Sequence, residues 1–314
     1  MKKFSIRIFI FIMVLCLLPQ TALAADMLIP VGRVIGLELK NDTVTVAGFE
    51  ADSKAKIAGL QEGDCLLRIN EKTITCADDV RSALSQTDGA ATLTVRRGQE
   101  DKTFRVTGPK LGVYLKEGIT GIGTVTWYDP DTQSFAALGH GVNLPKGGLL
   151  QLTQGNVYDA RIVSVRKGKI GKPGQLIGAV TNTNPIGSLS SNTSQGVFGK
   201  AQLSCSQKAL PVAEAEQVCT GKATILSNIS GQSVQEYSVE ILKIYPCGRN
   251  ADRNMLIRIT DPALLETTGG IVQGMSGSPI IQDGKLIGAV THVLVNDPTT
   301  GYGIFIENML DAAA

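Results

Sequence analysis

The sequence has few of the residues that build most metal and nucleic-acid sites. Its 314 residues include two histidines, His140 and His292, and six cysteines of which none form a C-x-x-C pair. The two histidines rule out most multi-histidine metal sites, and the cysteine spacing does not support a zinc ribbon or a C-x-x-C redox motif. The 30 basic and 28 acidic residues give a formal net charge of +2, so no electrostatic case exists for nucleic acid. We predict no metal and no cofactor, and acid–base chemistry is narrowed to two positions.

Long hydrophobic runs are also absent beyond the N-terminus. Lys2, Lys3 and Arg7 precede an apolar run from Ile8 to Leu18, and small residues follow up to Ala24. This order is typical of a secretory signal, and the run is shorter than the ~20 residues of a transmembrane helix. We predict that residues 1–25 are a signal peptide or an uncleaved membrane anchor. In the second case a membrane surface would be a partner of the protein.

The remaining composition is that of a folded protein. Hydrophobic residues make up 43% and charged residues 18%, and the length suggests about two domains. Without Cys16 of the predicted signal, five cysteines remain, an odd number that leaves at least one unpaired within the chain. A Cys205–Cys219 disulfide is left open.

The first folded unit is predicted to be an α+β module over residues 28–108. Apolar residues alternate in 35–39 and in 44–46, which indicates two strands, and Asn41-Asp42 between them predicts a hairpin turn. Short helices are predicted over 53–58 and 78–85. The segment from Ala58 to Asn70, AGLQEGDCLLRIN, resembles the signature of PDZ domains.

The PDZ resemblance implies a peptide groove. A peptide would add as a strand beside Leu37-Glu38-Leu39, with its carboxylate on backbone N–H groups of the turn formed by Val34, Ile35, Gly36 and Leu37. Residues 109–118 are predicted to be a linker. The second unit, over residues 119–311, contains short β-branched segments separated by turn residues, which predicts a pair of β-barrels or a sandwich.

A serine between glycines is the strongest chemical signal. Gly274-Met275-Ser276-Gly277-Ser278-Pro279 leads into an apolar strand and a hairpin turn at Asp283-Gly284. Such a turn can aim the N–H groups of Gly274 and Ser276 at one point, where they would hold the oxyanion of a tetrahedral intermediate. The pattern resembles that of trypsin-like serine proteases.

Histidine supplies the partner that a serine nucleophile needs. His140 follows a small apolar strand, at a turn where trypsin-like enzymes carry their general base. His292 is interpreted as structural or as lining the substrate cleft. A buried carboxylate would orient the base, and the residues alone leave both Asp261 and Asp159 open.

Several segments together resemble the stage IV sporulation protein B peptidases of endospore-forming bacteria. They include residues 121–130, 137–140, 259–262 and 268–279. The resemblance implies a mainly β fold, in which a PDZ domain precedes a trypsin-like double β-barrel. It also implies that His140 is the base, Asp261 the acid and Ser276 the nucleophile.

The same resemblance implies a cellular role. The protein would be a serine endopeptidase secreted across the forespore membrane into the space between the two membranes. There it would cleave itself and a membrane-bound regulator, which leads to activation of a late mother-cell sigma factor. The alternative is a catalytically inactive signalling protein that binds peptides through its PDZ domain.

Overall fold

The computed structural model describes residues 27–108, 110–144, 147–245 and 252–314. The predicted signal or anchor, residues 1–25, lies outside these ranges, as does Cys247. Within them, no helix combines the length and the apolar character that crossing a membrane requires. Cys205 and Cys219 carry free thiols, so the disulfide left open above does not join them.

The described residues form mostly antiparallel strands. The first are β1 (Met27–Pro30), β2 (Val34–Phe49), β3 (Cys65–Ile69), β4 (Lys72–Thr73), β5 (Ala90–Arg97), β6 (Glu100–Thr107), β7 (Val113–Asp129), β8 (Ser134–Ala137), β9 (Gln154–Arg166) and β10 (Gln175–Val180). They are followed by β11 (Gly187–Thr193), β12 (Gly196–Ala201), β13 (Leu210–Pro211), β14 (Gly221–Ser230), β15 (Ser233–Ile244), β16 (Met255–Ile259), β17 (Pro279–Gln282), β18 (Lys285–Leu294) and β19 (Asp297–Phe305). The helices are α1 (Lys54–Ile57), α2 (Ala77–Ser85), α3 (Pro262–Thr268) and α4 (Ile306–Ala313), with a 3₁₀ turn at Ala215–Gln217.

Two closed barrels form the larger part of the fold. The pairings β2-β7-β8-β12-β11-β9 return to β2 and close the first barrel. The second barrel has the order β14-β15-β16-β19-β18-β17. Each barrel encloses its own apolar core, because inward-facing side chains alternate with outward-facing ones along the strands. The predicted fold class, mainly β with a PDZ domain and a double barrel, is confirmed.

A third apolar cluster joins the barrels. Trp127 and Phe198 of the first barrel pack with Leu286 and Ile304 of the second, and Met309 of α4 fills the space between them. All five side chains are almost fully buried. Because the interior of a protein is close-packed, this seam fixes the distance between the barrels and therefore the shape of the cleft between them.

The PDZ unit and the first barrel share two long strands, β2 and β7. In the barrel, Val34–Leu39 of β2 pairs with Ile119–Thr124 of β7. Beyond a bulge in β2, Val44–Phe49 pairs with Val113–Glu117, and this half belongs to the PDZ unit. The predicted linker 109–118 is therefore wrong from residue 113 onward, and the predicted hairpin turn at Asn41-Asp42 is wrong too. The extra residues of β2 are accommodated as a bulge, with both halves of the strand paired to β7.

Local interactions explain the PDZ signature. Ser53 caps α1 through its Oγ, which accepts a bond from the Lys56 N–H at 3.2 Å. The buried Asp64 carboxylate accepts from the Gln61 N–H at 2.8 Å and from Arg97 at 2.7 Å. The carboxylate thus ties the turn before β3 to the far end of β5. The two helices lie where the sequence predicts them.

Candidate active site

The Ser276 loop connects α3 with β17. Met275 is fully buried in the core of the second barrel and anchors the loop there. Gly277 has a φ of +95°, and a Cβ at this position would lie 2.1 Å from the Thr124 carbonyl oxygen. Only glycine satisfies both conditions, which is the physical reason for the second glycine of the motif.

The first barrel also holds this loop. The Thr124 hydroxyl of β7 donates to the Gly274 carbonyl at 2.7 Å, and the Thr126 hydroxyl donates to the Gly277 carbonyl at 2.9 Å. Among the described residues, neither the Gly274 N–H nor the Ser276 N–H has an acceptor. The two donors that the sequence predicts for an oxyanion hole are therefore available.

His140 lies three residues after the end of β8, in a turn that begins with Leu138 and Gly139 at positive φ. Its Nδ1 is 3.0 Å from the Gly141 carbonyl oxygen. When Nδ1–H donates to this carbonyl, Nε2 is left with its lone pair free to accept a proton. Burial lowers the pKa of His140, although the Gly141 contact and Asp252 act in the opposite direction. The ring is thus kept in the neutral form that a general base requires.

Ser276 and His140 come from different barrels and line one cleft of about 460 Å³, the catalytic cleft, together with His292. The Ser276 hydroxyl donates to the Thr291 carbonyl at 2.7 Å. No hydrogen bond joins Ser276 to His140 in the part of the chain that the structure describes. A rotation about the Cα–Cβ bond of Ser276 would redirect the hydroxyl, and such tightening is common when substrate binds.

The structure does not bring Asp261 to His140, which corrects the prediction of the third residue. The Asp261 carboxylate caps α3 by accepting from the Leu264 N–H at 3.0 Å, and it also accepts from the Ser238 N–H at 3.4 Å. Asp159, the other candidate, pairs with Arg33. Asp261 follows the C-terminal end of β16 and is held there by the helix that starts at Pro262.

The acid that approaches the two histidines lies near the other end of β16. Asp252 Oδ2 is 3.9 Å from Nε2 of His292, and the ring centroids of His292 and His140 are 5.2 Å apart. Sequence reasoning missed Asp252, because it belongs to no motif. The sequence leaves His292 either structural or lining the substrate cleft, and the structure places its side chain in the wall of the catalytic cleft.

The predicted PDZ carboxylate site at Val34, Ile35, Gly36 and Leu37 is wrong. These residues are part of the first barrel, where residues 35–37 pair with β7 on one side and with β9 on the other. A strand with both neighbours in place cannot accept a peptide. The alternation of apolar residues identifies such a segment as a strand but does not identify its neighbours.

A free strand edge exists instead at the PDZ half of β7. Among the residues that the structure describes, Val113–Glu117 pairs with β2 on one side only, and α2 packs beside the other edge. The Ala77 N–H donates to the Glu117 carboxylate and joins the helix to the strand. Val113, Leu115 and Leu84 are half-buried on the PDZ core. We call this space between β7 and α2 the PDZ groove.

A wider cleft of about 800 Å³ adjoins the catalytic cleft and shares Leu37, Gly121 and Ile122 with it. Glu38 lies on its wall and accepts hydrogen bonds from Asn156 and Tyr158, both at 2.8 Å. Burial opposes ionisation of Glu38, but these hydrogen bonds prevail and lower its pKa. Within the described ranges, His, Cys, Asp and Glu form no group of three or more that could hold a metal ion.

Comparisons with known proteins place this geometry in a family. The family model "SpoIVB peptidase S55" matches residues 107–310, and a PDZ domain model matches residues 45–97. Curated relatives include a "Probable CtpA-like serine protease" of Staphylococcus aureus, 31% identical over 107 residues, which are 31% of this chain and 22% of that protein. "Serine protease HTRA1" of Xenopus laevis is 39% identical over 56 residues, 18% of this chain and 12% of that protein. The chain thus spans about a fifth or less of the length of these relatives.

Among solved structures, the Rv3671c protease of M. tuberculosis in its active form matches with a TM-score of 0.37 and 16% identity. This match covers 62% of this chain and 72% of the other. The inactive form of the same protease matches with a TM-score of 0.35.

Proposed function

The chain belongs to the SpoIVB peptidase S55 family, and from this premise we propose that it is a serine endopeptidase with Ser276 as nucleophile and His140 as general base. One observation carries the proposal. The Ser276 and His140 side chains come from two barrels and line the same cleft. The nucleophile loop carries two N–H groups that have no acceptor in the described part of the chain. A serine hydroxyl, an imidazole and paired N–H donors are the groups that acyl transfer requires.

The geometry supports a conventional sequence of proton transfers. Ser276 Oγ bonds to the substrate carbonyl carbon while its proton passes to His140 Nε2, because Nδ1 faces the Gly141 carbonyl. The carbonyl oxygen becomes an oxyanion and accepts from the N–H groups of Gly274 and Ser276. His140 then gives the proton to the leaving amine. Water, activated by the same ring, releases the acyl group from Ser276.

Extended polypeptide is the substrate that fits the surroundings. The adjoining cleft continues the catalytic cleft along the first barrel and is mainly lined by apolar groups and backbone. Within the described part of the chain, Ile177–Val180 of β10 pairs with β9 only, so its other edge offers backbone hydrogen bonds. A chain lying across both clefts would be bound on each side of the scissile bond, as endopeptidase cleavage requires.

A labelling experiment tests the activity. We expect a fluorophosphonate to label the wild-type chain and the Ser276→Ala variant to lose both labelling and cleavage. Ser278→Ala is the matched control. Ser278 lies two residues after the nucleophile, and its buried hydroxyl contacts the Ser227 hydroxyl instead of the cleft. Cleavage that persists in Ser276→Ala contradicts the assignment of the nucleophile. A wild-type chain that neither cleaves nor reacts favours the alternative, an inactive peptide-binding protein.

The sporulation role is also part of the proposal. The family supports a peptidase that cleaves itself and a membrane-bound regulator between the forespore and mother-cell membranes, and thereby triggers activation of a late sigma factor. In an endospore-forming host that carries only Ser276→Ala, we expect the precursor of that sigma factor to accumulate. Normal processing in that strain contradicts the role.

Export is supported by residues 1–25 as a sequence. Lys2, Lys3 and Arg7 precede the apolar run, as in secretory signals. Fused to alkaline phosphatase, which is active only outside the cytoplasm, residues 1–30 should give active enzyme. Replacing Leu15 and Leu17 by arginine should abolish that activity, and an inactive wild-type fusion contradicts export.

Peptide capture in the PDZ groove is a second proposed function, supported by the free edge of β7 beside α2. A peptide C-terminus would add as a strand along Val113–Glu117 and place apolar side chains near Leu84 and Leu115. We expect Leu115→Arg to abolish binding of a fluorescent peptide measured by anisotropy. Tyr114→Arg is the matched control, because the neighbouring residue points to the opposite, exposed face. Equal losses in both variants contradict this location.

A further inference from the structure

The catalytic cleft contains one more histidine than a serine nucleophile and its base require. The rings of His292 and His140 are 5.2 Å apart between centroids, with their planes inclined by 41°. The His292 side chain is 34% exposed, and its Nδ1 is buried without a hydrogen-bond partner among the described residues. The second imidazole therefore has no role in the proton transfers proposed above, although it lies against the general base.

The segment that carries His292 also contacts the nucleophile. β18 is irregular between Val290 and His292, so that the Thr291 carbonyl accepts the Ser276 hydroxyl while His292 faces His140. The Thr291 hydroxyl donates to the backbone carbonyl of Asp252 at 3.1 Å. Thr291 therefore holds both the nucleophile and the backbone of Asp252, and the next residue, His292, contacts the base.

Asp252 is positioned from its other side as well. Arg253 Nε is 3.8 Å from Asp252 Oδ1, and the Arg253 guanidinium lies 5.3 Å from the centre of the Tyr302 ring. Tyr302 is in turn the cross-strand neighbour of His292. The carboxylate is thus held near the His292 ring by the same pair of strands that carries the ring.

No described carboxylate, Asp252 included, makes an ion pair or hydrogen bond with His140. Asp261 caps α3, Asp159 pairs with Arg33, and the Nδ1 of His140 already has the Gly141 carbonyl. The positive charge that His140 gains during acyl transfer therefore needs another source of stabilisation. Asp252, which acts on the pKa of His140, is the acid that the electrostatics of the site single out.

We propose that His292 and Asp252 are positioning residues for His140. The His292 ring packs against the imidazole and limits its rotation, and the Asp252 carboxylate compensates the charge when the Ser276 proton reaches His140. His292 itself exchanges no proton in this step. The inference rests on the proposed peptidase function and adds a pair of residues to it.

The charges around His292 give the direction of each pH effect. Burial lowers the pKa of His292, the neighbouring His140 and Arg253 lower it further, and Asp252 raises it. Asp252 likewise raises the pKa of His140. The other polar side chains near the pair are those of Tyr302, the cross-strand neighbour of His292, and Ser276 in the same cleft. Removing the Asp252 charge should therefore move the acid limb of the kcat profile to lower pH and reduce kcat at its plateau.

The test compares His292→Ala, His292→Phe and Asp252→Asn in the full chain, with a peptide substrate. A misplaced base costs on the order of 100-fold, so we expect His292→Ala to lower kcat at least about 30-fold with KM within threefold. His292→Phe keeps the ring contact and should recover part of that loss. Asp252→Asn should lower kcat about tenfold and shift the acid limb to lower pH.

Two further variants make the outcome decisive. Asp261→Asn decides between the acids, and Asp283→Asn, at the exposed turn between β17 and β18, is the control for losing a charge. Both should keep the wild-type kcat and acid limb. An unchanged kcat and pH profile in His292→Ala and Asp252→Asn overturns the inference, as does a collapse of kcat in folded Asp261→Asn. These results presuppose Ser276-dependent cleavage by the wild-type chain, whose absence would instead contradict the peptidase function.

Discussion

The catalytic cleft and the PDZ groove are built in opposite ways. The cleft is made of side chains that two barrels contribute from loops and strand ends, and Ser276, His140 and His292 each come from a different element. The groove is made of one strand edge and one helix, Val113–Glu117 and α2. Chemistry therefore depends on the relative position of the barrels, whereas peptide capture depends on a local unit. Changes at the barrel contact should affect cleavage and leave capture intact.

The largest effect is expected from Gly277→Ala. Its Cβ would lie 2.1 Å from the Thr124 carbonyl oxygen at a φ of +95°, so the nucleophile loop must move away from β7. A displacement of about 1 Å costs roughly 100-fold in rate, and we expect at least that loss of cleavage with unchanged peptide capture.

The control for this prediction is Gly284→Ala. Gly284 also has a positive φ of +75°, but a Cβ there meets nothing within 4 Å. The variant carries similar backbone strain in the turn between β17 and β18, where the added Cβ does not contact β7. Steady-state cleavage of a peptide should separate the two variants, and equal losses would show that strain alone, and not the contact between the barrels, limits activity.

Thr124→Val should have an intermediate effect. The substitution keeps the shape of the side chain but removes the donor to the Gly274 carbonyl. This carbonyl belongs to the peptide unit between the two units that carry the proposed oxyanion donors. We expect about a tenfold loss of kcat, less than the 100- to 1,000-fold that follows removal of an oxyanion donor itself. Thr103→Val, on β6 of the PDZ unit, is the control and should cleave like wild type. A wild-type kcat in Thr124→Val contradicts the role of this bond.

The response to pH should separate the two regions without any mutation. Burial lowers the pKa of His140 below its usual value of 6.5, and the ring must be neutral to accept a proton. Cleavage is therefore retained as the pH falls past 6.5 and is lost only below it. Because both histidines of the chain lie in the cleft, peptide capture should stay constant between pH 5 and 7. A cleavage midpoint at or above 6.5 contradicts the effect of burial.

The smallest effect on cleavage is expected from Asp261→Ala. The substitution removes the N-cap of α3, which is worth about 1 kcal/mol of folding free energy, or roughly 2–4 °C in Tm for a domain of this size. Asparagine caps a helix as well as aspartate does, so Asp261→Asn should melt like wild type. Both variants should cleave normally at low temperature. Thermal unfolding by circular dichroism and cleavage at 20 °C distinguish this structural role from a catalytic one.

The contrast also explains how far the sequence could be interpreted. Ser276 and His140 were identified because their chemistry requires particular residue types in particular turns, as the buried Met275 and the constrained Gly277 illustrate. The PDZ signature was identified because Asp64 ties a turn through its own carboxylate. Both motifs depend on contacts between residues that are close in the chain, and such contacts require particular residue types at fixed spacing.

What remained hidden depends on neighbours that are distant in the chain. The segment Val34–Leu37 alternates like any strand, and only its pairing with both β7 and β9 excludes a peptide. Asp252 belongs to no motif, and it approaches the site because β16 pairs with β19, which pairs with β18. Asp261 precedes a proline, a common start of a helix, and this simple signal describes its role in the fold better than a catalytic assignment does.

The bulge opposite Gly118 has a consequence for how the protein can be rebuilt. At this point β2 leaves the first barrel and β7 re-enters it, as neighbours in one antiparallel ribbon about 5 Å apart. The segment between residues 40 and 118 therefore starts and ends at adjacent positions, and it is an insertion between two paired strands of the first barrel. Replacing this segment by a two-residue Asn-Gly turn would connect the two strands directly as a β-hairpin. Other domains with adjacent termini could be grafted there, and the barrel would still close.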